Sequence, residues 1–345
     1  MQRVKPSIPR LLALGAVLLA ACTAAPASPT AAPTAPPTAV PATAVPATPA
    51  SLRSIRLPMG YIPSVQFAPF YVAVDRGYFA AEGLALDFDY SFETNGVQLV
   101  GAGELPFAVV SGEQVLLARA QGLPVVYVAA WFQDFPVAVI AEAASGITQP
   151  ADLKGKTVGT PLLGGANYIG LQAMLAAAGV PAADVTVSEI GFNQAPALIA
   201  GQVDAAVVYS NNEPIRLAAQ GEKLNTLLVR DYVALAANGL LTNETTRAQE
   251  PELVRGFVRA LLHGVADVMA DPDAAYQITT QYVPDLTDAA VEKQVLAATL
   301  DLWRADRLGY SEPAAWENMQ STLLATGLLA EAVDLSRAYT NEFVP

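Results

Sequence analysis

Cysteine occurs once in the 345 residues, at position 22, and histidine once, at position 263. A single cysteine cannot close a disulfide within the chain, and one Cys and one His cannot form a zinc site. His263 falls in the middle of an apolar-faced helical stretch, where a lone histidine is more often a packing or surface residue than a base. No GxSxG elbow and no P-loop lysine is present, and the carboxylates are scattered, so nothing supports an enzyme. Positive charge is scarce as well. Nineteen Lys and Arg stand against 32 Asp and Glu, a net charge of −13. Without clustered Lys and Arg, phosphates cannot be neutralised, which argues against nucleic acid as a partner. The same balance disfavours a strongly anionic ligand unless a local basic pocket overrides it. The apolar run at residues 11–21 is too short to cross a bilayer, which takes roughly 20 residues.

That run has a different reading. Arg3, Lys5 and Arg10 precede it and small residues end it, the pattern of a secretory signal. Its end, "LLAAC", resembles the bacterial lipoprotein signal, in which the cysteine becomes the lipidated first residue. Residues 1–21 are therefore read as a signal peptide and Cys22 as the lipidation site. Residues 23–50 are nearly all Ala, Pro and Thr, with no charge and no apolar face, so they favour an extended tether over a packed core. The expected place of the protein is the extracytoplasmic face of a cell membrane, held by its lipid and a linker at residues 22–53.

From Ser54 onward strands and helices alternate. "SIRLPMGY" reads as a strand. "APFYVAVDRGYFAAEG" reads as one helix, opened by Pro69 in its first turn and stopped by Gly83. "LALDFDYS" alternates as a half-buried strand, and "PFAVVSG" and "VVYVAAWF" are apolar strands around the helix "EQVLLARAQG". A second unit follows Pro150, with strands in "KTVGT", "DVTVSEI" and "DAAVVYS". From Glu250 the chain is mostly helical, with Leu253, Phe257, Leu261 and Val265 on one face. This rhythm predicts an α/β fold with mixed, mostly parallel sheets flanked by helices.

Candidate site residues cluster at strand ends, where open parallel sheets bind ligands. Tyr61 and Gln66 lie at the strand-to-helix turn of "MGYIPSVQF". Glu93 and Asn95 fall in the turn of "DYSFETNG", Ser111 in "VVSGEQ" and Trp131 in "AAWFQDF". Tyr168 follows the Gly164–Gly165 turn of "PLLGGANYIG", which by itself reads as a tight turn needing glycine. Tyr209, Asn211 and Glu213 follow a strand in "VVYSNNEP", a segment equally readable as a polar loop with a helix cap. Tyr61, Trp131, Tyr168 and Tyr209 at such positions suggest a flat apolar ligand. No metal and no cofactor is expected.

"APFYVAVDRGYFAAEGL", "ARAQGLPVVYVAA", "ADLKGKTVGT" and "ALIAGQVDAAVVYSNNEP" together resemble solute-binding lipoproteins of ABC importers. The branch is similar to the thiamine-pyrimidine binders, with riboflavin, nitrate and sulfonate relatives. The resemblance covers residues 54–216 well and the helical remainder loosely. It implies a two-lobed periplasmic-binding-protein-like fold of type II, with a ligand cleft between lobes and with permease and ATPase partners. Lobe 1 would comprise residues 54–142 and 240–345 and lobe 2 residues 143–239, joined near residues 141–149 and 236–242. Pyrimidine binders carry Asp–Trp where this chain has Gly60–Tyr61, and the family's synthases carry a cysteine-rich motif absent here. "MGYIPSVQFAPFYVA" instead looks like the riboflavin-binding members. The family's ring-binding glutamate maps onto Glu213. The resemblance thus points to riboflavin as ligand and carries over a role to Glu213 only; beside it, the residue types suit Gln66 or Asn211 as donor to a ring carbonyl and Glu93, Asn95 and Ser111 for the ribityl hydroxyls. A thiamine-precursor pyrimidine, another small heterocycle or a sulfonate is the alternative ligand, and an enzyme acting on such a ring the alternative class.

Overall fold

The structure, a computed structural model, describes residues 51–286 and 288–345. The expected signal peptide, Cys22 and the tether up to residue 50 lie outside the described residues.

β1 (Arg53–Gly60) leads into a turn in which the Ser64 hydroxyl accepts from the Gln66 N–H at 3.2 Å. A single 3-10 turn (Val65–Phe67) feeds α1 (Ala68–Asp75), with Pro69 in its first turn, where no backbone donor is missed. The expected single helix is divided. Gly77 takes φ 75°, outside the helical region, and the chain restarts as α2 (Tyr78–Ala81). β2 (Leu84–Phe92) pairs in parallel with β1. The turn expected at Glu93 and Asn95 is a helix, α3 (Glu93–Gly101), so both residues stand in its first turn. β3 (Ala108–Val110), α4 (Gly112–Ala120) and β4 (Val125–Ala130) follow.

The chain then crosses to the second lobe through residues 131–136 and enters β5 (Val137–Glu142). That lobe continues with β6 (Thr157–Thr160), α5 (Ala166–Ala177), β7 (Thr186–Glu189), α6 (Gln194–Ile199), β8 (Ala205–Tyr209), α7 (Glu213–Ala219) and β9 (Leu224–Leu228). Its sheet has the order β7-β6-β8-β5-β9. Residues 229–238 return to the first lobe, where β10 (Gly239–Asn243) inserts between β3 and β4. β5 runs antiparallel to β8 and β9, and β10 antiparallel to β3 and β4, while β6 pairs in parallel with β7 and β8. In each lobe the strand that arrives from the other lobe is the reversed one. A boundary at residue 142 would cut β5 out of the sheet in which it lies between β8 and β9, so the first crossing lies before Val137 and not at residues 141–149.

The rest of the chain is α8 (Glu244–Gln249), α9 (Pro251–Ala270), α10 (Pro272–Thr279), α11 (Ala289–Trp303), α12 (Pro313–Ala325) and α13 (Leu335–Ala338). α9 buries Val254, Phe257, Val258, Leu261, Val265 and Val268, spaced three and four apart, and packs on α1. β5 and β8 are covered on both faces, which explains their uninterrupted apolar runs. Ala138, Ile140, Ala206 and Val208 pack with Leu198 and Leu217 on one side, while Val137, Val139 and Val207 join the main core on the other.

Candidate functional site

A cavity of about 350 Å³ opens between the lobes, within the range of small-molecule sites. Lobe 1 lines it with Tyr61 and Gln66 from the turn after β1, and with Glu93 from the start of α3. Lobe 2 contributes Tyr168, Tyr209 and Glu213, and the crossings contribute Trp131, Phe132 and Asn238.

Asn238 is the hub. Its backbone carbonyl accepts the N–H groups of Trp131 (3.0 Å) and Phe132 (2.9 Å), which ties the two crossings together. Its side-chain oxygen accepts from the Tyr209 hydroxyl of lobe 2 at 3.2 Å, and its amide donates to Glu93 Oε1 of lobe 1 at 3.2 Å. The backbone N–H and the hydroxyl of Ser111 donate to Glu93 Oε2 at 3.1 and 2.6 Å. Gly60 makes room for this carboxyl. It holds φ 79°, and a Cβ there would lie 2.6 Å from Glu93 Cγ. A further carboxyl, Glu113, stands behind Ser111, with Oε1 2.5 Å from the serine oxygen. Burial, then the closeness of the second carboxyl, pushes Glu93 up to about 8, and burial also raises Glu113, so the two titrate as a pair.

On the opposite wall Glu213 opens α7. Its carboxyl accepts from the Tyr209 N–H (3.3 Å) and from the Asn212 amide (3.1 Å), and burial raises its pKa. The nearest cation, Arg216, is already committed. It holds Glu292 of α11 through two contacts of 2.8 and 3.1 Å and Asn212 Oδ1 at 2.7 Å. No Lys or Arg lines the cavity among the described residues. Burial, then the Glu213 charge, pushes the Tyr61 hydroxyl up to about 12, so it remains a neutral donor.

The rings form a gradient of depth. Phe67, Trp131 and Phe132 are buried, with Trp131 stacked on Phe67 (5.1 Å, 17°) and on Phe132 (4.3 Å, 18°). At the mouth Phe92 of lobe 1 and Phe192 of lobe 2 are more than half exposed, at 57% and 53%, and stack across the cleft at 6.1 Å and 9°. Tyr61 meets Phe192 edge-on at 5.6 Å. At the inner end of α5, Gly165 starts the helix without a side-chain cap, and Asn167 ties its first turn to β8 through Val207 O at 3.0 Å.

The structure therefore brings together Tyr61, Gln66, Glu93, Trp131, Tyr168, Tyr209 and Glu213. Three expected residues stand elsewhere. Asn95 is exposed on the outer side of the first turn of α3, because the segment is helical and turns it away from Glu93. Ser111 lies behind Glu93 and holds it. Asn211 is buried and spends its amide on Thr299 of α11 at 2.8 Å, while its neighbour Asn212 lines the cavity. Trp131 lines the wall but already stacks on two protein rings. Sequence reasoning missed Asn238, Phe92 and Phe192. The first sits in a loop with no motif, and the other two acquire meaning only when the lobes face each other. His263 is exposed, edge-on to Tyr78 at 5.3 Å and away from the cavity. Among the described residues no cluster of His, Cys, Asp and Glu could hold a metal, and no helix is long and apolar enough to cross a membrane.

Two lobes, two crossings and a cavity between them define a periplasmic-binding-protein fold. The periplasmic aliphatic sulphonate binding protein SsuA of Escherichia coli shares it, with a TM-score of 0.67 at 14% identity, over 84% of this chain and 97% of that one. The chain belongs to the NMT1/THI5 like family, whose profile matches residues 64–275. It is 42% identical over 346 residues to the riboflavin-binding protein RibY of Chloroflexus aurantiacus, covering 97% of this chain and 98% of that protein. It is 29% identical over 302 residues to the formylaminopyrimidine-binding protein of Halalkalibacterium halodurans, covering 84% and 91%.

Proposed function

We propose that this protein is the lipid-anchored, extracytoplasmic solute-binding component of an ABC importer and that its solute is riboflavin, which it binds and hands to a permease unchanged. The observation that carries the reading is a cavity walled by two carboxyls, Glu93 and Glu213, with no Lys or Arg lining it among the described residues and with rings at its mouth. Such a wall repels a sulfonate or a phosphate ester and suits a neutral ring that carries an N–H between two carbonyls. Glu213 accepts that N–H, and Gln66 or Asn212 donates to a carbonyl. Glu93 and Asn238 take ribityl hydroxyls, and the ring plane lies against Tyr61, Tyr168 and Phe192. The likeness to RibY supports the same ligand.

Flavin emission tests this directly, because a ring stacked on tyrosine is quenched. Micromolar protein should quench riboflavin and leave its phosphate ester unaffected. Unchanged riboflavin emission, together with protection against heating by formylaminopyrimidine, would replace this reading with the pyrimidine one. Conversion of the bound ring to product would replace it with an enzyme.

A further inference from the structure

Glu113 is wholly buried and lines no part of the cavity, yet its carboxyl is aimed at the residue that holds Glu93. The Ser111 oxygen lies 2.6 Å from Glu93 Oε2 and 2.5 Å from Glu113 Oε1. A hydroxyl has one hydrogen and can donate to one of them only. The other short contact needs a proton supplied by a carboxyl. Glu93 has no need to supply it. Its Oε2 already accepts from the Ser111 N–H, and its Oε1 from the Asn238 amide. Glu113 is the poorer anion. Its Oε2 is buried without any partner, and its Oε1 has only the serine and the Gln114 amide at 3.3 Å. An ionised carboxylate left so is costly, whereas a neutral acid donating to Ser111 satisfies every contact.

We infer that Glu113 is a positioning residue of the ligand site. It keeps a proton and donates it to the Ser111 oxygen, which turns the serine hydrogen toward Glu93 and leaves Glu93 an ionised acceptor at the cavity wall. The proton stays on Glu113 and no bond is exchanged. The single charge of the pair is thereby placed where a ligand N–H or O–H can reach it, and the buried side of the pair carries none.

The surroundings do not supply a countercharge. α4 packs against α3, α5, α12, α13 and β4. On these elements the other titratable groups are Tyr168, Tyr127, Glu317 and Arg337. The Tyr127 hydroxyl donates to Ala237 O, Glu317 is exposed, and Arg337 is held by Glu244. On α4 itself Arg119 also contacts Glu244. The Tyr209 hydroxyl reaches the pair only through Asn238.

The test has two arms, and the first does not depend on the proposed ligand. An infrared difference spectrum of the intact protein at pH 7.5, wild type minus Glu113→Gln, should show one protonated-carboxyl stretch. The Glu93→Gln variant should keep that band. No band, or a band lost in Glu93→Gln and kept in Glu113→Gln, overturns the assignment. The second arm rests on the riboflavin reading. Glu113→Gln, whose amide can still donate to Ser111, should bind riboflavin within about threefold of wild type across pH 6 to 9. Wild-type affinity should fall at least fivefold toward pH 9 as Glu113 loses its proton. A wild type as flat as the variant, or a Glu113→Gln defect equal to that of Glu93→Gln, counts against the inference. Failure of riboflavin to bind any form would sink the ligand reading alone and leave the infrared arm standing.

Discussion

Glu213 shows how a single side chain acquires its role. At the first turn of a helix it would ordinarily serve as a solvated carboxylate near the helix N-terminus. Here two protein donors and burial leave it partly satisfied, with capacity for one more N–H. Losing that bond while a buried donor on the ligand stays unpaired costs about 1–3 kcal/mol. Glu213→Ala should therefore weaken riboflavin binding roughly tenfold to a hundredfold, read from quenching titrations. The raised carboxyls also set a pH dependence. The Glu93–Glu113 pair holds one proton more tightly in the folded state than either carboxyl does at the unfolded value of about 4.3, because burial raises both, Glu93 to about 8. Stability from this source is full below about 4.3 and declines as pH rises toward 8, because the native state then holds more protons than the unfolded one. Urea unfolding should show wild type losing stability relative to Glu113→Gln between pH 5 and 8.5. An increasing advantage for wild type over that range would contradict the sign.

Elements bring the rings together. The loop after β7 carries Phe192 to Phe92 and Tyr61, and these three meet only because β2 ends and α3 begins at the same edge of the cleft. An aromatic contact adds about 0.5–1.5 kcal/mol beyond area burial, which corresponds to roughly twofold to tenfold in affinity. Phe192→Ala should lower riboflavin affinity by that factor. Its melting temperature should hardly change, since the ring is 53% exposed. A large loss of stability would make Phe192 a packing residue instead of a ligand contact. The same scale explains which expectations were legible. Strand ends were readable from apolar runs, so Tyr61, Tyr209 and Glu213 could be placed at them. The helical state of Glu93–Gly101 was not, because its short polar start, "ETNG", reads locally as a turn and is held as helix by packing against β1 and β3.

The whole molecule is a pair of lobes joined by residues 131–136 and 229–238, which are themselves tied through Asn238. α11 reaches over to the second lobe through Arg216–Glu292 and Asn211–Thr299. A ligand touching both walls favours the closed arrangement by the contacts it makes only there. Small-angle scattering should show compaction on adding saturating riboflavin, and an identical profile would mean a rigid, preformed site. At the membrane, Cys22→Ser should release a folded protein into the soluble fraction, because the Ala/Pro/Thr tether offers no apolar surface. Retention with membranes after a salt wash would rule out the lipid anchor.

The sequence alone determined the alternation of strands and helices, since period-two and helical apolar patterns are local and survive in any fold that buries them. It also carried the absence of histidine, cysteine and basic clusters, and with it the poor fit to metal chemistry and to anionic ligands. Only the tertiary structure decided that β5 belongs to the second sheet, because an apolar run does not name its neighbours. Only it could turn Asn95 outward, set Ser111 behind Glu93 and make Asn238 the link between lobes. The last two roles depend on which groups come within hydrogen-bonding distance, from 18 residues apart for Ser111 and Glu93 to 145 for Asn238 and Glu93. Hydrogen bonds and buried charge are fixed at that distance, and the chain's local pattern does not encode it.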